Sequence, residues 1–256
     1  MRLALLPGGS IYLDKGRAVT PGVDVGVRIH VPVWSALIET DDGRRIILDT
    51  GMHPDHIGHP DATYEGTKAE GLMPAVMTYS DLLPNRLQQM GVSTNSIDTV
   101  ILSHLHWDHC GQTHLFPRAT VYLRQDCLET WAKEVNPRVG KRDFLSAADT
   151  YKFLPDQEMA EIAPGVTVIH TPGHAVGHVS LIVMLPETGA LLLPVDALPM
   201  RECVDGTSHG TGPDQTAWKV SRARLLRLAG ERDATFFLSH DPDQWPRLRR
   251  APHWYT

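Results

Sequence analysis

The chain reads as an α/β protein of the α+β kind: an αββα sandwich in which two mixed β-sheets lie face to face and helices flank them. Three observations point there. Short β-branched and aromatic runs recur along the 256 residues. Helical patterns fall between these runs and late in each half. A histidine-rich cluster follows directly on one of the runs. Taken in order, Val33–Glu39 and Arg45–Asp49 form a hairpin about Asp41-Asp42-Gly43, where Asp-Gly supplies the turn. Asp98–Ser103 is an apolar strand, and Ala119–Arg124 follows it. Val166–His170, Val179–Leu185 and Ala190–Val195 form a third group, and Ala234–Ser239 is the final strand. Helices are expected over Asp81–Met90, stopped by Gly91, over Asp126–Glu134, and over Thr216–Ala229, capped by Asp214 and ended by Gly230. Residues 52–80 hold several Gly, Pro and His with little periodicity. They read either as a lid or subunit contact or as a plain surface excursion.

Composition sets bounds on function. With 42% apolar and 21% charged residues the chain is an ordinary globular sequence, and its length suits a single domain over residues 1–256. A net charge of −6 gives no attraction for a phosphate backbone, and Arg247–Arg250 is too short a basic stretch to change that, so no nucleic-acid partner is expected. The apolar start at Leu3–Leu6 stops at Pro7-Gly8-Gly9, too short for an export signal, and no run approaches the roughly 20 apolar residues that span a bilayer. No membrane association is expected. Cys110, Cys127 and Cys203 are odd in number and widely spaced, which fits a reduced, cytoplasmic setting rather than a disulfide framework.

The chemistry is concentrated in Ser103-His104-Leu105-His106-Trp107-Asp108-His109. Imidazoles buried without partners cost several kcal/mol, whereas imidazoles and carboxylates together are good donors for zinc, manganese, iron or cobalt. The i, i+2 spacing at a strand end aims His104 and His106 to one side. Thr171-Pro172-Gly173-His174, Val195-Asp196 and Ser239-His240-Asp241 each close another strand, so all can converge on one edge of the sandwich.

This series, HxHxDH, then TPGH, then a strand-terminal Asp, then a late SH, resembles the metallo-β-lactamase superfamily from Asp49-Thr50-Gly51 to His240. The resemblance implies the metallo-β-lactamase sandwich with two divalent metal ions per chain, zinc above all. His104, His106 and His174 would bind the first ion, Asp108, His109 and His240 the second, and Asp196 would bridge them. Asp49 and His178 would orient this shell from behind. A hydroxide shared by the ions would attack an ester carbonyl, with Asp108 relaying the proton to the leaving oxygen.

Local strings narrow the branch. Val31-Pro32-Val33-Trp34-Ser35-Ala36-Leu37-Ile38-Glu39, the extended ligand motif through Cys110-Gly111, and the closing Ser239-His240-Asp241 resemble the N-acyl homoserine lactone lactonases, quorum-quenching enzymes. Asp196 argues against a true β-lactamase, and the short stretch after His240 leaves no room for the helical region of glyoxalase II. The resemblance implies a lactonase that opens N-acyl homoserine lactones, with a homodimer as its assembly. The alternatives are a lactonase of the 4-pyridoxolactonase kind and another ester or phosphodiester hydrolase with the same cage. Trp107, Leu198 and Met200 are candidates to hold the substrate, together with Trp34, Met73 and Met77. One departure stands out: the lactonases usually carry a tyrosine three residues after the bridging aspartate, and here that position is Pro199, which has neither a hydroxyl nor a backbone donor.

Overall fold

The structure is a computed structural model that describes residues 1–133 and 151–256. Twelve strands are described: β1 (Arg2–Asp14), β2 (Arg28–Glu39), β3 (Arg45–Leu48), β4 (Ala75–Val76), β5 (Thr99–Ile101), β6 (Thr120–Leu123), β7 (Tyr151–Phe153), β8 (Met159–Ala163), β9 (Val166–His170), β10 (Val179–Leu185), β11 (Gly189–Val195) and β12 (Thr235–Leu238). The helices are α1 (Lys15–Ala18), α2 (Leu83–Gln89), α3 (Trp107–Cys110), α4 (Gln125–Lys133), α5 (Arg201–Asp205) and α6 (Gln215–Arg232).

The strands form two mixed sheets, one of seven strands in the order β4-β1-β2-β3-β5-β6-β7 and one of five in the order β12-β11-β10-β9-β8. Both faces of each sheet are covered, which is why the strands read as apolar runs rather than as alternating patterns. The period of two still sorts them. Ala36 and Ile38 of β2, Ile46 and Leu48 of β3, Val179, Leu181 and Val183 of β10, and Leu191, Leu193 and Val195 of β11 fill the space between the sheets. The alternate residues face outward. Leu37, Ile47, Val100 and Val121 pack with Leu83 and Leu87 of α2 and Cys127 of α4. Ile182 and Leu192 pack with Trp218, Leu225 and Leu228 of α6. The expected αββα layers are thus present. Among the described residues no helix is long and apolar enough to cross a membrane.

Several expectations need correction. The opening segment is a long strand, β1: its Pro7-Gly8-Gly9 interruption is a register shift in the pairing with β2, not an end. The expected helix over Asp81–Met90 splits into a 3-10 turn at Tyr79–Asp81 and α2. The final residue expected in the second helix, Glu134, lies outside the described residues. Asp214 caps α6 by accepting from the Ala217 N–H at 2.9 Å, but the helix runs on through Gly230 and ends at Asp233 in a left-handed conformation. Residues 52–80 are more than an excursion. They bury Met52, His56, Tyr64 and Met77, and Val76 pairs with Ser10 at the sheet edge.

Candidate metal centre

The ends of β3, β5, β9, β11 and β12 open on the same edge of the sandwich and deliver Asp49, the 103–109 segment, His174, Asp196 and His240 in turn. Two non-glycine residues take left-handed backbone there, Asp49 with φ 54° and Val195 with φ 51°. For a β-branched residue such as Val195 this costs about 1–3 kcal/mol, and the turn carries Asp196 off the end of β11. Glycine is required at two close approaches. A Cβ on Gly173 would lie 2.4 Å from the Trp218 nitrogen, and one on Gly212 would lie 2.5 Å from the His174 Cα. The loop bearing His174 can therefore lie flat between α6 and residues 211–212.

Two groups of potential donors result: His104, His106, His174 and Asp196, and next to them Asp108, His109 and His240. His106 Nδ1 is 2.9 Å from His104 Nε2 and 3.0 Å from His174 Nε2. Asp196 spans the groups. Its Oδ2 lies 3.2 Å from His174 Nε2 and 3.8 Å from His104 Nε2, while its Oδ1 lies 3.2 Å from His240 Nε2 and 3.4 Å from His109 Nε2. Asp108 Oδ2 faces His109 Nε2 at 3.5 Å and His240 Nε2 at 3.6 Å.

Hydrogen bonds at the far side of each ring set the tautomers. His240 Nδ1 is 2.9 Å from the Pro32 carbonyl and His174 Nδ1 is 3.1 Å from the Thr211 carbonyl; carbonyls only accept, so both Nδ1 atoms donate. His109 Nδ1 donates to Asp49 Oδ2 at 2.8 Å. The Ser103 hydroxyl donates to the same Asp49 oxygen at 2.7 Å and accepts from His104 Nδ1 at 3.0 Å, while the Ser103 N–H donates to Asp49 Oδ1 at 2.7 Å. Each of these four rings therefore turns its Nε2 into the site, and the His109 Nε2 is buried without a hydrogen-bond partner. At most one proton can lie among the clustered nitrogens of His104, His106 and His174, so the remaining lone pairs confront each other. A divalent cation satisfies all of them, and the donor set fits one.

Charge agrees with this reading. Burial, with His109 and His106 beside it, holds His104 well below the usual imidazole range, so it stays neutral. Burial works against the Asp196 carboxylate, but His240, His109 and His174 hold it well below the usual range and ionised. Burial also works against charge on His109, yet Asp196, Asp108 and Asp49 together push it well above the usual range. The carboxylates thus favour positive charge at His109, met by a proton on its Nε2 or by a cation in the proton's place.

The remaining expected residues separate. His178 is buried, with Nδ1 2.9 Å from the Thr171 hydroxyl and its ring 5.0 Å from that of His104. Trp107 lines a small cavity over the metal centre and packs on Tyr64 and on His56, itself buried rather than at the surface. Leu198 does not reach the pocket: fully buried, it packs beneath α6 with Trp218 and Leu225. Met200 shares a core cluster with Trp107 but lines neither cavity described below. Trp34 likewise sits between the sheets, its Nε1 donating to the Leu238 carbonyl at 3.3 Å. The sequence reading missed Thr211 and the Pro32 carbonyl as orienting partners. A polar residue before His104 was its signal for Ser103; a backbone carbonyl leaves none.

Two cavities meet at His106, His174 and Thr211. The smaller, about 40 Å³, is roofed by Ile11, Leu13, Met73 and Trp107 and floored by Asp108, Asp196 and His240, with Pro199 at its side. The larger, about 540 Å³, runs from the same histidines along α4 and the loop carrying His209 and Thr211, up to Gln215 at the start of α6.

Comparison with known proteins agrees with this geometry. Residues 28–240 match the family model of the metallo-beta-lactamase superfamily. The chain is 30% identical to an N-acyl homoserine lactonase of Bacillus cereus over 95% of its own length and 94% of that protein's. It is 32% identical to the N-acyl homoserine lactonase AttM of Rhizobium radiobacter, over 100% of this chain and 99% of that one. A solved N-acyl homoserine lactone hydrolase with the product N-hexanoyl-L-homoserine at its catalytic metal center is similar with a TM-score of 0.91 and 28% identity, covering 99% of this chain and 98% of that one.

Proposed function

This chain belongs to the metallo-beta-lactamase superfamily, alongside its N-acyl homoserine lactonases, and from that premise we propose that it hydrolyses the lactone ring of N-acyl homoserine lactones. The observation that carries the reading is Asp196, whose two oxygens each face one of two adjacent histidine groups. His104, His106 and His174 would hold one divalent ion, Asp108, His109 and His240 a second, and Asp196 would serve both. Imidazole and carboxylate donors favour zinc. Bound there, the ions would lower the pKa of water and polarise an ester carbonyl.

The chain's own groups do the rest. Asp49 fixes the rings of His104 and His109 through Ser103 and directly, so both present a lone pair without rearrangement. Asp108 is the proton carrier: its carboxylate lines the smaller cavity between His109 and His240, where it can hold a proton and pass it to the departing ring oxygen. Trp107, Ile11 and Val31 close that cavity against bulk water. Pro199 offers the ester carbonyl no hydroxyl; its own carbonyl instead accepts the His240 N–H at 3.0 Å and fixes that ligand's backbone.

The test is acid release from N-acyl homoserine lactones by metal-assayed protein, followed with a pH indicator. The reading expects turnover at two metals per chain, and Asp108→Asn keeping its metal while kcat falls about 10²–10⁴-fold. Full turnover by Asp108→Asn would remove its proton role. A fully loaded wild-type protein inert on every homoserine lactone would favour the other ring lactones that Pro199 keeps in view.

A further inference from the structure

We infer that the Thr211 hydroxyl is the side-chain donor that meets the carbonyl oxygen of the scissile ester. The inference rests on the lactonase reading and names the group that answers the growing negative charge where Pro199 has no hydroxyl and no N–H.

The lining of the smaller cavity narrows the choice. Its polar groups include His106, Asp108, His174, Asp196 and His240, all of them candidate metal ligands. Pro199 brings no donor. Among the described residues that line this space, Thr211 carries the one hydroxyl. Trp107 carries the other polar hydrogen outside the ligand set, on an indole whose ring packs against those of His56 and Tyr64. The space is small, about 40 Å³ or room for about three waters, so a carbonyl entering it comes close to every wall.

Bond direction sets where the Thr211 hydrogen goes. His174 Nδ1 donates, and it lies 3.1 Å from the Thr211 carbonyl and 3.1 Å from the Thr211 Oγ1. The hydroxyl oxygen therefore accepts, and its own hydrogen cannot return to His174. Among the described residues no group accepts that hydrogen, and the cavity lies beside it. Accepting from an imidazole also makes the hydroxyl a better donor, because chained hydrogen bonds polarise one another.

The segment is held in place from both sides. The Asp214 N–H donates to the Gly173 carbonyl at 3.3 Å, which ties it to the loop bearing His174. The Gln215 amide donates to the carbonyls of Gly210 at 2.9 Å and Gly212 at 3.2 Å, which ties it to the first turn of α6. A donor fixed in this way needs no rearrangement as charge grows on the carbonyl oxygen.

The experiment compares Thr211→Val, which keeps the shape and removes the hydroxyl, with Thr211→Ser, which restores it, and with Trp107→Phe, which removes the indole N–H. Each is loaded with metal, its metal content is determined, and kcat and KM are measured on N-hexanoyl-L-homoserine lactone. At wild-type metal content Thr211→Val should lose about 10–100-fold in kcat, as for one hydrogen bond to a group gaining charge, with KM little changed. Thr211→Ser should recover most of that loss. A readout without turnover is the dissociation constant of N-hexanoyl-L-homoserine, measured by calorimetry. The carboxylate of this product retains the carbonyl oxygen, so the constant should rise about tenfold in Thr211→Val and hold in Thr211→Ser. Wild-type kcat and product affinity in Thr211→Val, a loss confined to KM, or a loss explained by missing metal overturns this inference and spares the lactonase reading. So does a kcat loss in Trp107→Phe that Thr211→Val does not share, which would assign the donor to the indole. Loaded wild type inert on every homoserine lactone overturns both.

Discussion

The two sheets bring histidines to one edge but hold them by different chemistry. On the seven-stranded sheet, His104 and His109 share a single buried carboxylate, Asp49, one through Ser103 and the other directly. On the five-stranded sheet, His174 and His240 lean on backbone carbonyls of Thr211 and Pro32. A carboxylate behind an imidazole fixes its tautomer and also raises its basicity; a carbonyl fixes the tautomer with little charge. The carboxylate serves two imidazoles at once but is one side chain, open to loss by a single substitution. The carbonyls cannot be removed by changing a side chain. One half of the site is therefore stronger and more fragile, the other weaker and more robust.

That contrast can be broken or sharpened by three substitutions. The largest effect should come from Asp49→Asn, nearly isosteric but presenting an amide N–H₂ where His109 and Ser103 now donate. Metal affinity, measured by competition with a chelator, should fall about 10–100-fold, with activity following the metal. Wild-type affinity in this variant would erase the distinction between the sheets. Ser103→Ala cuts the link to His104 and leaves His109 its direct bond, so its loss of affinity should be smaller, about tenfold or less by the same titration. An effect equal to that of Asp49→Asn would mean that the serine, not the carboxylate, is the controlling group. The smallest effect is expected at Thr211→Val, where the hydroxyl 3.1 Å from His174 Nδ1 is lost but the carbonyl remains. Affinity should stay within about twofold of wild type, because the stronger of the two acceptors is retained.

The same contrast explains what the sequence could reveal. The meeting of these side chains was legible because three histidines and an aspartate at the mouth of an apolar strand have no comfortable place in a core, and because Asp49, His174, Asp196 and His240 each close a run with β-strand character. The carbonyl partners were not legible, since Pro32 and Thr211 contribute backbone atoms that any residue carries. Leu198 and Met200 were misplaced for a related reason: they follow Asp196 closely in sequence, but the left-handed turn at Val195 sends the next side chains beneath α6 and into the core around Trp107. The larger cavity was also invisible, because its walls come from α4, the 173–176 loop and residues 209–215, segments of ordinary composition far apart in the chain. β1 was hidden by a Pro-Gly-Gly that looks like a stop but is a register shift held in place by pairing with β2.

The division of ligands between the sheets has a consequence for the molecule as a whole. His104, His106, Asp108 and His109 follow a strand of one sheet, and His174, Asp196 and His240 follow strands of the other. On the proposed ligand set, a metal pair is a clasp across the sandwich, and neither sheet closes it alone. Sliding one sheet against the other would dismantle the ligand cage, so the free energy of metal binding enters the cohesion of the two layers. At a free metal concentration about 100 times the dissociation constant that contribution is about 2.7 kcal/mol, a large fraction of what holds a typical domain together. The supply of metal would then govern how much folded protein there is, as well as how much of it is active.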